Sequence, residues 1–328
     1  MKILHTTWMI LKKGDRILLG HKKRGFGKGN INGIGGKLDP GETPEQATVR
    51  ETYEEIGVTA TKFHKVGLVI FDELVYKGER QTCVMHCYIA TQWDGDPIET
   101  EEILPEWFDI AEVPYKKMWA DDEHWLPQVL EGEHIEARFK YNDDFEIVEF
   151  YVDILPSNNI ATFTDSDFGM PDGDHNTYEP RYASRAILLN DQNEVALINA
   201  TKHNYYKLPG GGIDEAELAR EALIRETIEE AGYEIDILDN LGVTTEYRAK
   251  FRQINISYCY IARCGKFVGA KLEPDEIADG FELEWFPSLD SAIEAVQKVD
   301  TAKLPYQGQF YTARELAFLK SAKTKLAQ

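Results

Sequence analysis

Arg50 is followed by Glu51, Glu54 and Glu55, and the same series returns later in the chain as Arg225, Glu226, Glu229 and Glu230. On a helix, carboxylates at i, i+3 and i+4 converge on one face. An arbitrary glutamate trio would read as a solvated acidic face, but three like charges on adjacent turns repel, and hard oxygen donors at this spacing suit Mg²⁺ or Mn²⁺. Such an ion would relieve the repulsion and bridge to a phosphate. It would act as a Lewis acid on a phosphoryl oxygen and as a template for a polyphosphate, and it would activate an attacking water whose proton a glutamate accepts. Arg50 lies one turn before Glu54 and can steer a carboxylate through a charge-assisted bond.

These residues need a helix to hold them. Thr43, Pro44 and Gln46 read as an N-cap, a first-turn proline and a capping-box partner, and Gly57 suits a C-terminal stop, so a helix is expected over residues 44–56. The surroundings repeat as well. An apolar hairpin precedes each copy, residues 8–11 turning at Gly14-Asp15 into 17–19, and 186–189 turning at Asp191-Gln192-Asn193 into 195–198. Strand-like runs follow each copy, at 66–71 and 82–90 and at 241–244 and 254–262, and then an acidic loop leads to Trp107-Phe108 or Trp285-Phe286. Two copies of one α/β domain are therefore expected, at residues 1–155 and 181–328. Residues 134–141 and 145–155 alternate as a closing hairpin around Asn142-Asp143-Asp144. Between the copies, residues 156–180 are rich in Ser, Asn, Asp, Gly and Pro and read as a linker. The spacing of Asp165, Asp167, Asp172 and Asp174 there fails the EF-hand pattern.

The bulk properties narrow the partners. A chain of 328 residues suits two domains, and 43% hydrophobic residues provide for a core in each. A net charge of −21 disfavours a nucleic-acid polymer. The short basic cluster Lys22, Lys23, Arg24 and Lys28, interleaved with Gly25, Gly27 and Gly29, could instead meet one polyphosphate, so a mononucleotide is the expected small-molecule partner. Cys83, Cys87, Cys259 and Cys264 lie in apolar runs at spacings wrong for zinc, and they are expected as reduced core cysteines of a cytoplasmic protein. The chain contains no apolar run of membrane-spanning length, so no membrane partner is expected.

Both repeats fit the Nudix box, through Gly36, Glu42, Arg50, Glu51, Glu54, Glu55 and Gly57 and through Gly211, Glu217, Arg225, Glu226, Glu229, Glu230 and Gly232. The chain thus resembles the Nudix hydrolases. The resemblance implies two tandem folds, each a mixed β-sheet core sandwiched between helices, and Mg²⁺ as cofactor with Mn²⁺ as a substitute. It also implies metal ligation by the box glutamates and the Gly35 carbonyl, joined by a later glutamate, for which Glu102 and Glu276 are the candidates. Which of Glu51, Glu55 and Glu102 serves as the base stays open.

Residues 1–155 further resemble the MutT-type 8-oxo-dGTP diphosphatases, through Leu18-Leu19-Gly20, Lys22-Lys23-Arg24-Gly25-Phe26-Gly27, Asn32-Gly33, Gly35-Gly36-Lys37, His64-Lys65-Val66-Gly67 and Met118-Trp119-Ala120-Asp121-Asp122. By that resemblance, Thr7, Lys22, Phe26, Asn32, Phe71, Trp119, Asp121 and Asp122 line a nucleotide pocket beside Gly35, Gly36 and Lys37. Trp119 would stack on the base, while Asn32 and the two aspartates bond its edge. Ile31 departs from the aromatic residue usual in that family. The second copy shares little beyond the box: Lys207 stands where the first has Asn32, Ala216 and Ala219 replace Gly41 and Pro44, and no Trp-x-Asp-Asp follows Trp285. Its substrate is left open, and a role as an intrachain pseudo-dimer module is the alternative to catalysis.

Overall fold

Alternating apolar residues, such as Trp8 and Ile10 against Met9 and Leu11, require a sheet covered on both faces. The computed structural model, which describes residues 2–76 and 78–327, divides the chain into two compact units, 1–154 and 155–328.

In the first unit the order is β1 (Lys2–Lys13), β2 (Arg16–Lys22), β3 (Ile31–Asn32), α1 (Pro44–Ile56), β4 (Thr59–Tyr76), β5 (Glu79–Asp94), β6 (Ile103–Asp109), α2 (Asp122–Glu131), β7 (Ile135–Tyr141) and β8 (Ile147–Ile154). The strands run β3-β2-β1-β5-β4-β7-β8, with β6 on β2; the β1–β5 and β4–β7 pairs are parallel and the others antiparallel. On one face, Met9, Leu11, Val58 and Tyr88 pack with Ile56 of α1. On the other, Trp8, Ile10, Val69 and Cys87 pack with Trp125, Leu126 and Val129 of α2. The sheet is thereby sandwiched between helices, and β7 and β8 form the expected closing hairpin.

The second unit contains β9 (Asn159–Phe163), β10 (Glu179–Leu189), β11 (Val195–Ala200), β12 (Tyr205–Lys207), α3 (Ala219–Ala231), β13 (Tyr233–Arg248), β14 (Gln253–Phe267), α4 (Pro274–Asp279), β15 (Phe281–Phe286), α5 (Leu289–Gln297) and α6 (Tyr306–Leu326). Its strand order is β12-β11-β10-β14-β13-β9, with β15 on β11. Helix α3 covers one face through Ala219 and Leu223, and α5 and α6 cover the other through Ile293, Val296, Phe318 and Leu319.

The segment 156–180, expected as a linker, is built into this second unit. Strand β9 pairs in parallel with β13, the place beside the central hairpin that β7 takes in the first unit. The polar residues that suggested a solvated connection are used locally. Asp165 is buried and accepts the Ala249 N–H at 2.8 Å, Asp167 accepts that of Thr164 at 2.8 Å, Asp172 that of Ser166 at 3.1 Å, and Asp174 caps the short helix at His175–Thr177. No helix among the described residues is long and apolar enough to cross a membrane. Cys83, Cys87 and Cys259 are buried and Cys264 is half-buried, all as free thiols.

Candidate functional site

Helix α1 forms as its ends dictate. The Thr43 hydroxyl accepts the Gln46 N–H at 3.3 Å, the Gln46 side chain accepts that of Thr43 at 2.9 Å, and Gly57 closes the helix at φ 72°. In the second unit α3 starts without a hydroxyl cap, the Leu218 N–H going to Glu221 at 2.9 Å, and Ala216 takes the positive φ that Gly41 takes in the first. The loop is reproduced without the residues that favour it.

Arg50 organises the acids of the first unit. It donates to Glu42 at 2.8 and 2.9 Å, to Glu51 at 2.8 Å, to the Lys37 carbonyl at 2.9 Å and, more loosely, to Glu54 at 3.2 Å. Its firmest partner is thus Glu42, which it holds below the usual carboxylate range. Arg225 repeats the pattern on Glu217, Glu226, Glu229 and the Gly212 carbonyl. Glycine is required beside this cluster, because a Cβ on Gly36 would lie 2.5 Å from the Glu51 carboxyl carbon and one on Gly211 2.1 Å from that of Glu226.

The carboxylates differ in setting. Glu54 is exposed, whereas Glu51 and Glu55 are largely buried, and burial pushes the pKa of both upward. Glu55 is held by the Gly35 N–H at 2.9 Å and the Lys22 ammonium at 2.7 Å. Lys22 therefore serves the acids as well as the pocket it was expected to line. Glu102 lies 3.8 Å from the same ammonium and is bound by Arg24, so one lysine stands between the box and the later glutamate. In the second unit Glu230 is held by the Gly210 N–H at 2.9 Å and Lys207 at 2.5 Å. Ligand oxygens of Glu226, Glu230 and Glu276 lie within 4.8 Å of one another, with Glu229 outside that group. Burial and the nearby Glu230 push Glu276 up to about 7. Clustered hard oxygens whose charges raise one another's proton affinity are a donor set that a divalent cation fits.

Beside the acids of the first unit lies a cavity of about 410 Å³ lined by Thr7, Lys22, Phe26, Asn32, Gly35, Gly36, Lys37, Phe71, Trp119, Asp121 and Asp122, with Glu102 at its edge. All the residues expected in a nucleotide pocket are therefore brought together. The Asn32 carbonyl oxygen accepts the Trp8 indole N–H and the Gly33 N–H, both at 2.9 Å, so its amide nitrogen is the end left for a ligand. Asp121 does not cap α2; its carboxylate turns inward and accepts Tyr141 Oη at 2.6 Å and Trp125 Nε1 at 3.0 Å. Asp122 accepts the Trp119 N–H at 3.1 Å. Burial raises the pKa of both aspartates, and the charge of Asp121 raises Asp122 further. Sequence reasoning missed Trp8, Met85, Tyr141 and Phe145, which also line the cavity. Only their place in the folded sheet and turn reveals them.

The registers identify the corresponding face of the second unit. Leu18 faces Trp107 as Ala196 faces Trp285, and two residues on, Gly20 faces Asn32 as Ile198 faces Lys207. Thr7 bonds Gly36 as Ser184 bonds Gly211, which sets Arg185 at the place of Trp8. Gly67 faces Cys87 as Gly242 faces Cys259, which sets Glu246 at the place of Phe71, Asn255 at that of Cys83 and Ser257 at that of Met85. All four replacements are buried. Helix α6 adds buried Arg314 and Glu315, and Glu246 meets Arg248 at 2.7 Å and Arg314 at 3.7 Å. An ionic core fills the face that is a cavity in the first unit.

Comparison with known proteins finds one domain type in both units. The family model of the NUDIX domain matches residues 4–129 and 179–304. The oxidized purine nucleoside triphosphate hydrolase of Danio rerio is 42% identical over 147 residues, 45% of this chain and 92% of that protein, and the protein of the same name from Mus musculus is 37% identical over the same lengths. The 8-oxo-dGTP diphosphatase of Escherichia coli (strain K12) is 36% identical over 77 residues, 24% of this chain and 56% of that one. A crystal structure of a MutT protein from Bacillus halodurans is 26% identical and covers 46% of this chain and 97% of its own, with a TM-score of 0.41. With a NUDIX domain in each unit and both carboxylate helices intact, the chain belongs to the NUDIX family and is a Nudix hydrolase.

Proposed function

We propose that the first unit hydrolyses oxidised purine nucleoside triphosphates of the 8-oxo-dGTP type to the monophosphate and pyrophosphate, a reaction that clears damaged nucleotides. The observation that carries this reading is the apolar cavity whose polar groups, Asn32, Asp121 and Asp122, lie beside a carboxylate helix. The similarity of the chain, over 147 residues, to hydrolases named for the same substrates supports it.

Nudix hydrolases generally need a divalent metal ion. Glu51, Glu54, Glu55, Glu102 and the Gly35 carbonyl would hold it, with Mg²⁺ the fitting ion and Mn²⁺ a substitute, and Glu226, Glu229, Glu230 and Glu276 would form the second centre. When bound, the ion supplies charge neutralisation at the phosphates and acidifies water. The chain's own groups do the rest. A buried glutamate of the box, its proton affinity raised by burial, accepts the proton of the attacking water. Arg50 keeps the acids in register, Trp119 and Phe71 exclude water from the base, and ionised Asp121 beside protonated Asp122 offers an acceptor and a donor to its edge.

Product analysis tests the proposal: 8-oxo-dGTP incubated with Mg²⁺ should yield monophosphate and pyrophosphate, and chelation should stop the reaction. Orthophosphate and the diphosphate as first products would overturn it. For the second unit, the filled base face favours a metal-binding domain that takes no purine in that position.

A further inference from the structure

The turn between β7 and β8 contains a residue that its local conformation disfavours. Asn142 organises this turn, its N–H donating to the Glu146 carbonyl at 3.0 Å while its side-chain oxygen accepts the N–H groups of Asp144 at 3.0 Å and Glu146 at 2.9 Å. Phe145 closes it at φ 59°. Glycine or asparagine suits such a left-handed position, and a bulky side chain there is strained. Phe145 is also 42% exposed, so the free protein recovers little of that strain by burying it.

The ring nevertheless lies in a definite place. Its centroid is 5.9 Å from that of Phe26 and 5.9 Å from that of Trp119, and those two rings stack on each other at 5.2 Å and 19°. Phe145 lines the same cavity as Phe71, Leu74 and Met85. The turn thus carries a third aromatic ring to the cavity, on a backbone conformation that disfavours it and with much of the residue left exposed. Locally disfavoured residues of this kind concentrate where a ligand is bound.

We propose that Phe145 is a base-recognition residue, whose ring, with Phe26 and Trp119, covers a purine seated in the cavity and completes its removal from water. The proposal rests on the reading of this cavity as a purine site. It adds to that reading a recognition element supplied by the β7–β8 turn, a segment outside the Nudix box and outside the Trp-x-Asp-Asp stretch.

The test uses the full chain with Phe145→Gly, which removes the ring and suits the backbone, and Phe145→Tyr, which keeps it. KM and kcat are measured with 8-oxo-dGTP, and calorimetry follows the binding of 8-oxo-dGMP without turnover. Loss of one aromatic contact should raise KM, and the Kd for the monophosphate, about three- to tenfold in Phe145→Gly. The turnover number should stay within about twofold and the melting temperature should not fall, while Phe145→Tyr should restore binding. An active wild-type chain with unchanged KM and Kd in Phe145→Gly overturns the role of Phe145 alone. A chain that binds 8-oxo-dGMP in a Phe145-dependent way without cleaving the triphosphate overturns the proposed reaction and upholds the recognition role. A wild-type chain that does not bind the monophosphate overturns both.

Discussion

Glu55 and Glu230 are each held by a backbone N–H and a lysine ammonium, but the lysine comes from a different strand in each unit. In the first it is Lys22, at the end of β2. In the second it is Lys207, on β12, at the register position of Asn32. The charge beside the acid is kept, and the amide that could read a base is given up for it. The same exchange extends across the sheet face, where Trp8, Phe71, Cys83 and Met85 give way to Arg185, Glu246, Asn255 and Ser257 beneath α6. Chemistry and recognition therefore occupy separable parts of this fold. The acids depend on a helix and a glycine loop common to both units, while the proposed recognition depends on strand positions of one sheet face that can be refilled without disturbing the helix.

The largest effect expected from this division is on turnover. Glu55→Gln should lower kcat/KM for 8-oxo-dGTP by roughly a thousandfold or more, because a lost ligand removes several kcal/mol of charge stabilisation, whereas Glu230→Gln should leave it within about twofold. Equal losses would show that both centres share the reaction.

Next comes stability. Removing one partner of a buried ion network leaves the other charges uncompensated, so Glu246→Ala should destabilise the second unit by about 3–5 kcal/mol, with faster hydrogen exchange along β13 and β14 and little change in turnover. Phe71→Ala, the corresponding change in the first unit, should act mainly on KM. If Glu246→Ala leaves exchange unaltered, the ionic core does not hold that face together.

A smaller effect should follow from importing one unit's choice into the other. Asn32→Lys places the second unit's cation in the first unit's pocket and removes a half-buried amide. It should reduce the preference for 8-oxo-dGTP over dGTP by roughly ten- to a hundredfold, about 1–3 kcal/mol. An unchanged preference would assign base reading to the aspartates alone.

The smallest effect concerns Asp122, whose Trp-x-Asp-Asp stretch has no match after Trp285. Burial and Asp121 raise its folded-state pKa above the unfolded value. The folded protein then holds a proton that the unfolded chain releases, so the stabilising contribution is complete below the unfolded pKa and is lost as pH rises through the folded one. Asp122→Asn cannot ionise, and its melting-temperature advantage over the wild type should widen by a few degrees between pH 5 and pH 8. A constant difference would remove the basis for a protonated donor.

Much of this was legible before folding. Thr43, Gln46 and Gly57 announce the ends of α1, since capping is a local interaction between residues a few positions apart. Glu42 stood in the motif, yet its role as the chief partner of Arg50 emerges only when the loop folds back on the helix. The carriers of the ionic core have no local signal in the sequence, because Arg314 and Glu315 become buried only when α6 lies on β13. Phe145 was hidden by the polarity of its turn. The strand at Asn159–Phe163 was unreadable for a related reason: a short run among serines and aspartates becomes a strand only when β13 offers a partner.

That last strand has a practical consequence for dissecting the two units. A polypeptide begun at residue 181, where the repeat suggests a boundary, would lack β9 and present the hydrogen-bonding edge of β13 to water. Unpaired edges invite intermolecular pairing, so such a fragment should precipitate or self-associate, and its failure to bind metal would say nothing about Glu226, Glu230 and Glu276. A fragment begun at residue 155 keeps the edge covered and offers the fair comparison.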